Sequence, residues 1–295
     1  MNFSPWSRNP DMGLNASVMC NCYRNGLTTL VPFPVEWTVM DDDGHLSLID
    51  QHNTDNNWHQ LHQWQQACCV HAGMNYIYEH VANWSEYRQF QEAINEIGCE
   101  RFPTLIRVLP QLNGGLTTSA DCRIALQELD FFNAQGIIDQ KTVLVDLDKG
   151  AELYVRVGAY DGIFIMAGNH GVNVGLNQSE LFVQDINTGE YYFRSSRFQQ
   201  VHRHGFPILG DSSDIFWMDC ESGYIYEPGF AIHGQQIPWD NGYWENELGQ
   251  SRFEYPIHFQ VEQRHRTVQE FSDIVQALRN VFNASVTTEN PVRWC

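Results

Sequence analysis

Cys20-Asn21-Cys22 and Cys69-Val70-His71 put three thiols and an imidazole into two tripeptides, and that is a complete ligand set for tetrahedral zinc. If all four side chains bind one ion, two segments with 46 residues between them must meet within a few ångströms. Asn15 to Tyr23 alternates in strand fashion, which would send Val18, Cys20 and Cys22 to one face. Cys69 and His71 follow a helical pattern of Trp58, Leu61, Trp64, Gln65 and Cys68 and run into Ala72-Gly73, the composition of a helix exit. A strand pair and a helix-exit pair suit zinc, which requires distance and tetrahedral direction and has no d-electron preference. The one-residue gap in each tripeptide is shorter than in most structural zinc sites. The competing reading has no metal: Cys20 and Cys22 are small buried apolar residues on a core strand, and His71 is a hydrogen-bonded turn histidine.

The cysteine count sets the redox context. Eight cysteines are sparse in 295 residues, and Cys68 and Cys69 are adjacent, so reduced thiols or metal ligands are expected in place of a disulfide framework. A hydrophobic fraction of 43% with 13% aromatic residues supplies a sizeable core and excludes a disordered chain. Seventeen basic residues against 36 acidic ones give a net charge of −19, which repels nucleic-acid phosphate and anionic lipid and makes a basic protein the expected partner. The start, Met1-Asn-Phe-Ser-Pro-Trp-Ser-Arg, has no apolar core, and no stretch reaches the roughly 18 apolar residues of a membrane span. A cytoplasmic location is the expectation.

The pattern predicts an α+β fold that changes character near residue 137. The region 12–136 is helix-rich. Gln51 to Gln66 reads as an amphipathic helix; Ser85 can cap a helix carrying Tyr87, Phe90, Ile94 and Ile97 and ending at Gly98; Ser119 can cap another with Cys122, Ala125, Leu126, Leu129 and Phe132 on one face. The region 137–295 reads as a mostly antiparallel sheet of short β-branched and aromatic runs, with a hairpin at Ile186-Asn187-Thr188-Gly189-Glu190 and a second expected pair at Ile215–Met218 and Tyr224–Tyr226. Thr267-Val268-Gln269-Glu270 is a capping box, and the helix behind it repeats Phe271, Ile274, Val275, Leu278 and Phe282, a stripe that must cover a sheet. The two regions could also form one continuous domain.

Three further constellations carry chemistry-bearing side chains. His59 and His62 lie three apart on a helix face with no acidic or thiol ligand nearby, the pattern of a solvated face. Asp41-Asp42-Asp43-Gly44 and Asp146-Leu147-Asp148-Lys149-Gly150 lack the later glycine and acidic position of a calcium loop, so both read as solvated turns. The enzyme alternative is a cysteine nucleophile: Cys122 in the first turn of its helix, where the dipole lowers a thiol pKa, with His170 and Asp185 on strands. That order of Cys, His and Asp resembles papain-like and transglutaminase-like hydrolases or acyltransferases, but the residues around Cys122 carry no further signature, and the helix register equally makes it a core residue. A protein-binding role, of the immunity or inhibitor type, on a zinc-stapled scaffold ranks above catalysis, because an acidic surface with nine tryptophans and twelve tyrosines suits capture of a cationic partner.

Met12-Gly13-Leu14-Asn15-Ala16-Ser17-Val18-Met19-Cys20-Asn21-Cys22-Tyr23, the Cys69-x-His71 step, Asn113-Gly114-Gly115 and the closing Asn290-Pro291-Val292-Arg293-Trp294-Cys295 together resemble a family of uncharacterised bacterial proteins. The resemblance spans most of the chain and implies no activity. It also implies a usual start at Met12, with residues 1–11 as an N-terminal extension.

Overall fold

Leu14, Ala16 and Val18 alternate along the strand Gly13–Met19, and all three are fully buried. The computed structural model describes residues 13–167, 171–202, 215–227, 243–245, 251–253 and 257–295. These fall into two compact units: the described residues up to Ile138 together with Thr267–Cys295, and those of Asp139–Arg266. The fold is α+β, with antiparallel sheets in both units. Among the described residues no helix is long and apolar enough to cross a membrane.

In the first unit Gly13–Met19 is an inner strand of the sheet order Asn75–Asn83, Gly13–Met19, Val292–Trp294, Leu116–Thr117. Ala16 pairs with Trp294 and Glu79, so the last residues of the chain are hydrogen-bonded beside the first described ones. Among the described residues there are five α-helices, in chain order α1 (Asp55–Ala67), α2 (Trp84–Gly98), α3 (Pro103–Val108), α4 (Ser119–Asn133) and α5 (Ser272–Thr288). The expected helices are present, with their caps shifted. Asn83, not Ser85, caps α2 by accepting from Glu86 N–H at 2.9 Å, and Thr118, not Ser119, caps α4 by accepting from Asp121 N–H at 3.1 Å. In each case the cap oxygen sits three residues before the amide it satisfies, the spacing an N-cap requires. The capping box at Thr267 forms as read, with Glu270 accepting from Thr267 N–H at 2.8 Å, and one 3₁₀ turn then leads into α5.

The C-terminal helix does cover a sheet, but the sheet belongs to this unit and not to 139–266. It packs on the strands Asn75–Asn83 and Gly13–Met19 and against α4. Because neighbours lie on more than one side, burial extends beyond the expected stripe to Ala277, Val281, Ala284 and Ser285. Phe90, Phe132 and Phe271 meet at the centre of the core with ring centroids 5.2 to 6.1 Å apart. The chain leaves the first unit after Ile138 and returns to it at Thr267. A small hairpin, Thr38–Met40 with Leu46–Leu48, packs Leu46 and Leu48 against Leu61 of α1.

The second unit holds a four-stranded meander, Ile163–Ala167, Val172–Leu176, Leu181–Asp185 and Tyr191–Ser195, whose last turn is the expected hairpin. Its six-stranded sheet runs in the order Ile225–Tyr226, Ile215–Asp219, Arg197–His202, His258–Thr267, Ile137–Asp146, Ala151–Val155. Both sheets contribute to one core, in which Phe198 stacks on Phe259 at 4.7 Å beside Phe193 and Trp217.

Candidate metal centre

Met19 ends the first strand, so the strand face expected to carry Cys20 and Cys22 stops one residue too early. Cys20 lies just beyond the strand, and Cys22 sits in a turn closed by Asn25 N–H to Asn21 O and Leu27 N–H to Cys22 O. Gly26 supplies the positive φ, 66°, that such a turn needs. The turn, rather than the pleat, brings the two thiols together. On the other side α1 ends at Ala67 with Cys68 as its C-cap; Cys69 follows, and His71 precedes the 3₁₀ turn Ala72–Met74. The helix-exit placement of Cys69 and His71 is as expected. Cys20 N–H donates to Met74 O and Thr29 N–H to Cys68 O, both at 2.8 Å, so backbone hydrogen bonds tie the two stretches together.

Cys20 Sγ lies 3.8 Å from Cys69 Sγ, and Cys22 Sγ lies 3.3 Å from His71 Nδ1. The four ligand atoms are all within 4.8 Å of one another, a set that could hold a metal ion. Cys20 and Cys22 are only 4% and 7% exposed, whereas Cys69 and His71 are half-buried. Met19, Cys68 and Met74 form an apolar wall with Tyr23 and Trp64, whose rings meet edge to face at 6.4 Å.

The thiols titrate unequally. Burial pushes Cys20 and Cys68 each up to about 12 and raises Cys22 as well. Burial also acts to raise Cys69, but the His71 backbone and the thiols of Cys22, Cys20 and Cys68 hydrogen-bond to it and together hold it below the ordinary thiol value. Of the four thiols Cys69 is therefore the most readily ionised when no cation is bound. A coordinated metal inverts that balance, because it deprotonates a ligating thiol outright.

Asn290 locks the cysteine turn from behind. Its side-chain amide donates to Met19 O at 2.8 Å and to Asn21 Oδ1 at 3.0 Å, and its oxygen accepts from Arg24 Nη1 at 2.7 Å. Asn21 Nδ2 in turn donates to Thr288 O at 2.6 Å. Glu289, at φ 60°, turns the chain out of α5 so that Asn290 reaches this position. Sequence reasoning passed over Asn290 as a site residue; the signal available was an amide immediately after a helix end, and it names no partner 271 residues away.

The other candidates sit elsewhere. Cys122 is fully buried in the core of the first unit, and burial pushes its thiol up to about 11 although Ser285 hydrogen-bonds to it. The lowering expected from the helix dipole does not prevail there. His170 lies outside the described residues. Asp185, in the second unit, belongs to the hairpin turn: the Tyr192 hydroxyl donates to it at 2.7 Å, backbone amides of Thr188 and Asn187 also donate, and its carboxyl is held down at about 2. His59 and His62 are exposed around Trp58, as read. Asp41 and Asp43 serve a turn, accepting from Ser47 Oγ and His45 N–H. Asp146 departs from the solvated-turn expectation: it is fully buried and accepts from the amides of Asp148 and Lys149.

Comparison with protein-family models, with curated proteins and with solved structures finds no match for this chain.

Proposed function

We propose that Cys20, Cys22, Cys69 and His71 bind one zinc ion as a structural centre, and that the protein is an acidic binding module for a basic protein partner built on that scaffold. One observation carries the metal. Tetrahedral zinc with bonds to sulfur of about 2.3 Å sets neighbouring sulfurs about 3.8 Å apart, and Cys20 Sγ and Cys69 Sγ are 3.8 Å apart. The corresponding sulfur-to-nitrogen edge is about 3.6 Å, against 3.3 Å between Cys22 and His71. No pair is wider than 4.8 Å, so side-chain rotations of about 1 Å complete the tetrahedron. Thiolate-rich sets select zinc over hard cations, and four protein ligands leave no open position for substrate, which makes the role structural.

Elemental analysis of protein purified without chelator tests this directly, with one zinc per chain as the expected result. Cys20→Ser and His71→Ala should each lose the metal, and a chelator should lower the melting temperature, because metal binding and folding are coupled. A metal-free preparation whose melting point ignores chelator overturns the reading.

Two features support the binding role. The net charge is −19, and the two metal-bearing stretches expose aliphatic side chains: Leu30 is 95% and Val70 92% accessible. Charge complementarity speeds association with a cationic partner and fades once salt shortens the screening length below ~8 Å. Recovery of only neutral or acidic partners, with on-rates indifferent to salt, would count against it. Catalysis through Cys122 is the weaker reading, since a buried thiol with a raised pKa is neither accessible nor ionised.

A further inference from the structure

We propose that Cys69 and Cys20 form an oxidisable pair, which a hydroperoxide converts to a disulfide with release of the metal; this rests on the zinc reading above. The geometry distinguishes this pair from the others the cluster offers. Cys69 is the partly exposed residue of the three cysteines, set beside the exposed Val70, so it is nearer to an oxidant in solvent than the buried Cys20 and Cys22. Cys20 Sγ stands 3.8 Å behind it, while Cys22 Sγ faces His71 Nδ1 at 3.3 Å. Cys68 is adjacent in sequence to Cys69, and a bond between neighbouring cysteines closes a small ring that strains the disulfide dihedral. The same strain, somewhat relaxed, opposes Cys20 with Cys22.

The chemistry balances as follows. The Cys69 sulfur attacks the peroxide, the O–O bond breaks, and the departing oxygen takes a proton and leaves as an alcohol or as water, so that Cys69 becomes a sulfenic acid. The Cys20 sulfur then attacks the Cys69 sulfur, the S–O bond breaks, and the hydroxyl takes a proton and leaves as water. The two sulfurs lose two electrons and the peroxide gains them. Zinc departs as the dication, and Cys22, no longer a ligand, takes up a third proton. The product keeps the strand exit and the helix exit covalently joined, since the new bond links the same two stretches that the metal joined. Only Cys22 and His71 are set free, and the turn from Asn21 to Leu27 loses its metal anchor while its bonds to Asn290 remain.

Full-length protein purified with its metal and treated with hydrogen peroxide tests this in two readouts. A chromophoric chelator follows zinc release, and mass spectrometry of non-reduced digests locates the cross-link, with fragmentation between Cys20 and Cys22 deciding which is bonded. The expected result is one zinc released per Cys20–Cys69 disulfide, reversed by a dithiol reductant with added zinc, and unchanged in Cys99→Ser and Cys220→Ser, which remove exposed thiols. Because the wild-type digest identifies the bond, the result does not depend on a Cys20 variant that fails to fold. Zinc that stays bound, or leaves with Cys22 in the disulfide or with Cys69 over-oxidised and unlinked, overturns the proposal while the zinc reading stands. A reduced protein with no zinc overturns the zinc reading and the metal release with it; the digest then still scores the Cys20–Cys69 bond alone.

Discussion

Asn290→Ala probes the candidate metal centre without touching a proposed ligand. The side chain is 1% exposed and makes three hydrogen bonds that hold the turn bearing Cys20 and Cys22. The two neutral bonds, to Met19 O and Asn21 Oδ1, contribute about 1 kcal/mol each. The bond from the exposed Arg24 guanidinium contributes less than a buried charged bond, about 0.5 kcal/mol, since water replaces it. Leaving the Met19 carbonyl unpaired beside an alanine adds about 1 kcal/mol of desolvation that nothing offsets. The expected loss is therefore about 3.5 kcal/mol, or about 7–14 °C in melting temperature for a unit of this size. The backbone bonds of Asn290 to Ser285 and Thr288 survive the substitution. Loss of an outer-shell support typically weakens metal affinity by about 10- to 100-fold. Thermal unfolding in reducing buffer with zinc, paired with competition against a chromophoric chelator, reads both quantities. Asn290→Asp keeps the acceptor for Arg24 and loses the donor, so it should fall nearer to alanine than to wild type. A melting shift below about 2 °C with zinc affinity within about threefold would refute the argument that this amide organises the site.

Phe132→Ala should cost about 3–5 kcal/mol in denaturant unfolding, because the ring is fully buried between Phe90, Phe102 and Phe271; a cost below about 1 kcal/mol would mean that the site collapses freely. Glu128→Ala should cost about 2–3 kcal/mol in the same assay, since its buried carboxylate accepts from Thr104 and Leu105 N–H at 2.9 and 2.7 Å and caps α3; Glu128→Gln, which retains an acceptor, should cost less. Asp185 is depressed from 3.8 to about 2 by the Tyr192 hydroxyl and the turn amides. Its contribution is present above the unfolded value and is lost as pH falls through about 2, and Tyr192→Phe should move its NMR-detected titration upward; an unmoved midpoint would exclude Tyr192 as the main cause. Cys122 should resist iodoacetamide at pH 8 in folded protein while the exposed Cys99 and Cys220 react, and selective early labelling of Cys122 would contradict its burial.

Local pattern specified most of the secondary structure and pointed to the candidate ligands. Apolar residues at helical spacing marked α2, α4 and α5, Gly98 marked an end, and Asn187 to Gly189 marked a hairpin turn. These signals are local because 3.6-residue periodicity, capping and positive φ depend on neighbours in the chain. Three thiols and an imidazole marked the candidate metal set for a chemical reason, which does not depend on the element that carries them. The element was misread at Cys20 and Cys22, because alternation of side-chain character continues through a turn while strand pairing stops at Met19.

Which surfaces meet is a matter of long-range packing. An apolar stripe on α5 states that a partner exists and leaves its identity open, and here the partner is the sheet that contains the first described strand. Chain order suggested two regions divided once, near 137, but hydrophobic burial has no regard for sequence distance, so Thr267–Cys295 returns to the earlier unit. Cys122 shows the same limit within a single residue: its position in the first turn of a helix favours a thiolate, yet the core packed around it by α5 removes the water that a charge needs. Asn290 is the clearest case, since its role exists only where a helix end and a cysteine turn are brought together across 271 residues, and no local pattern encodes that meeting.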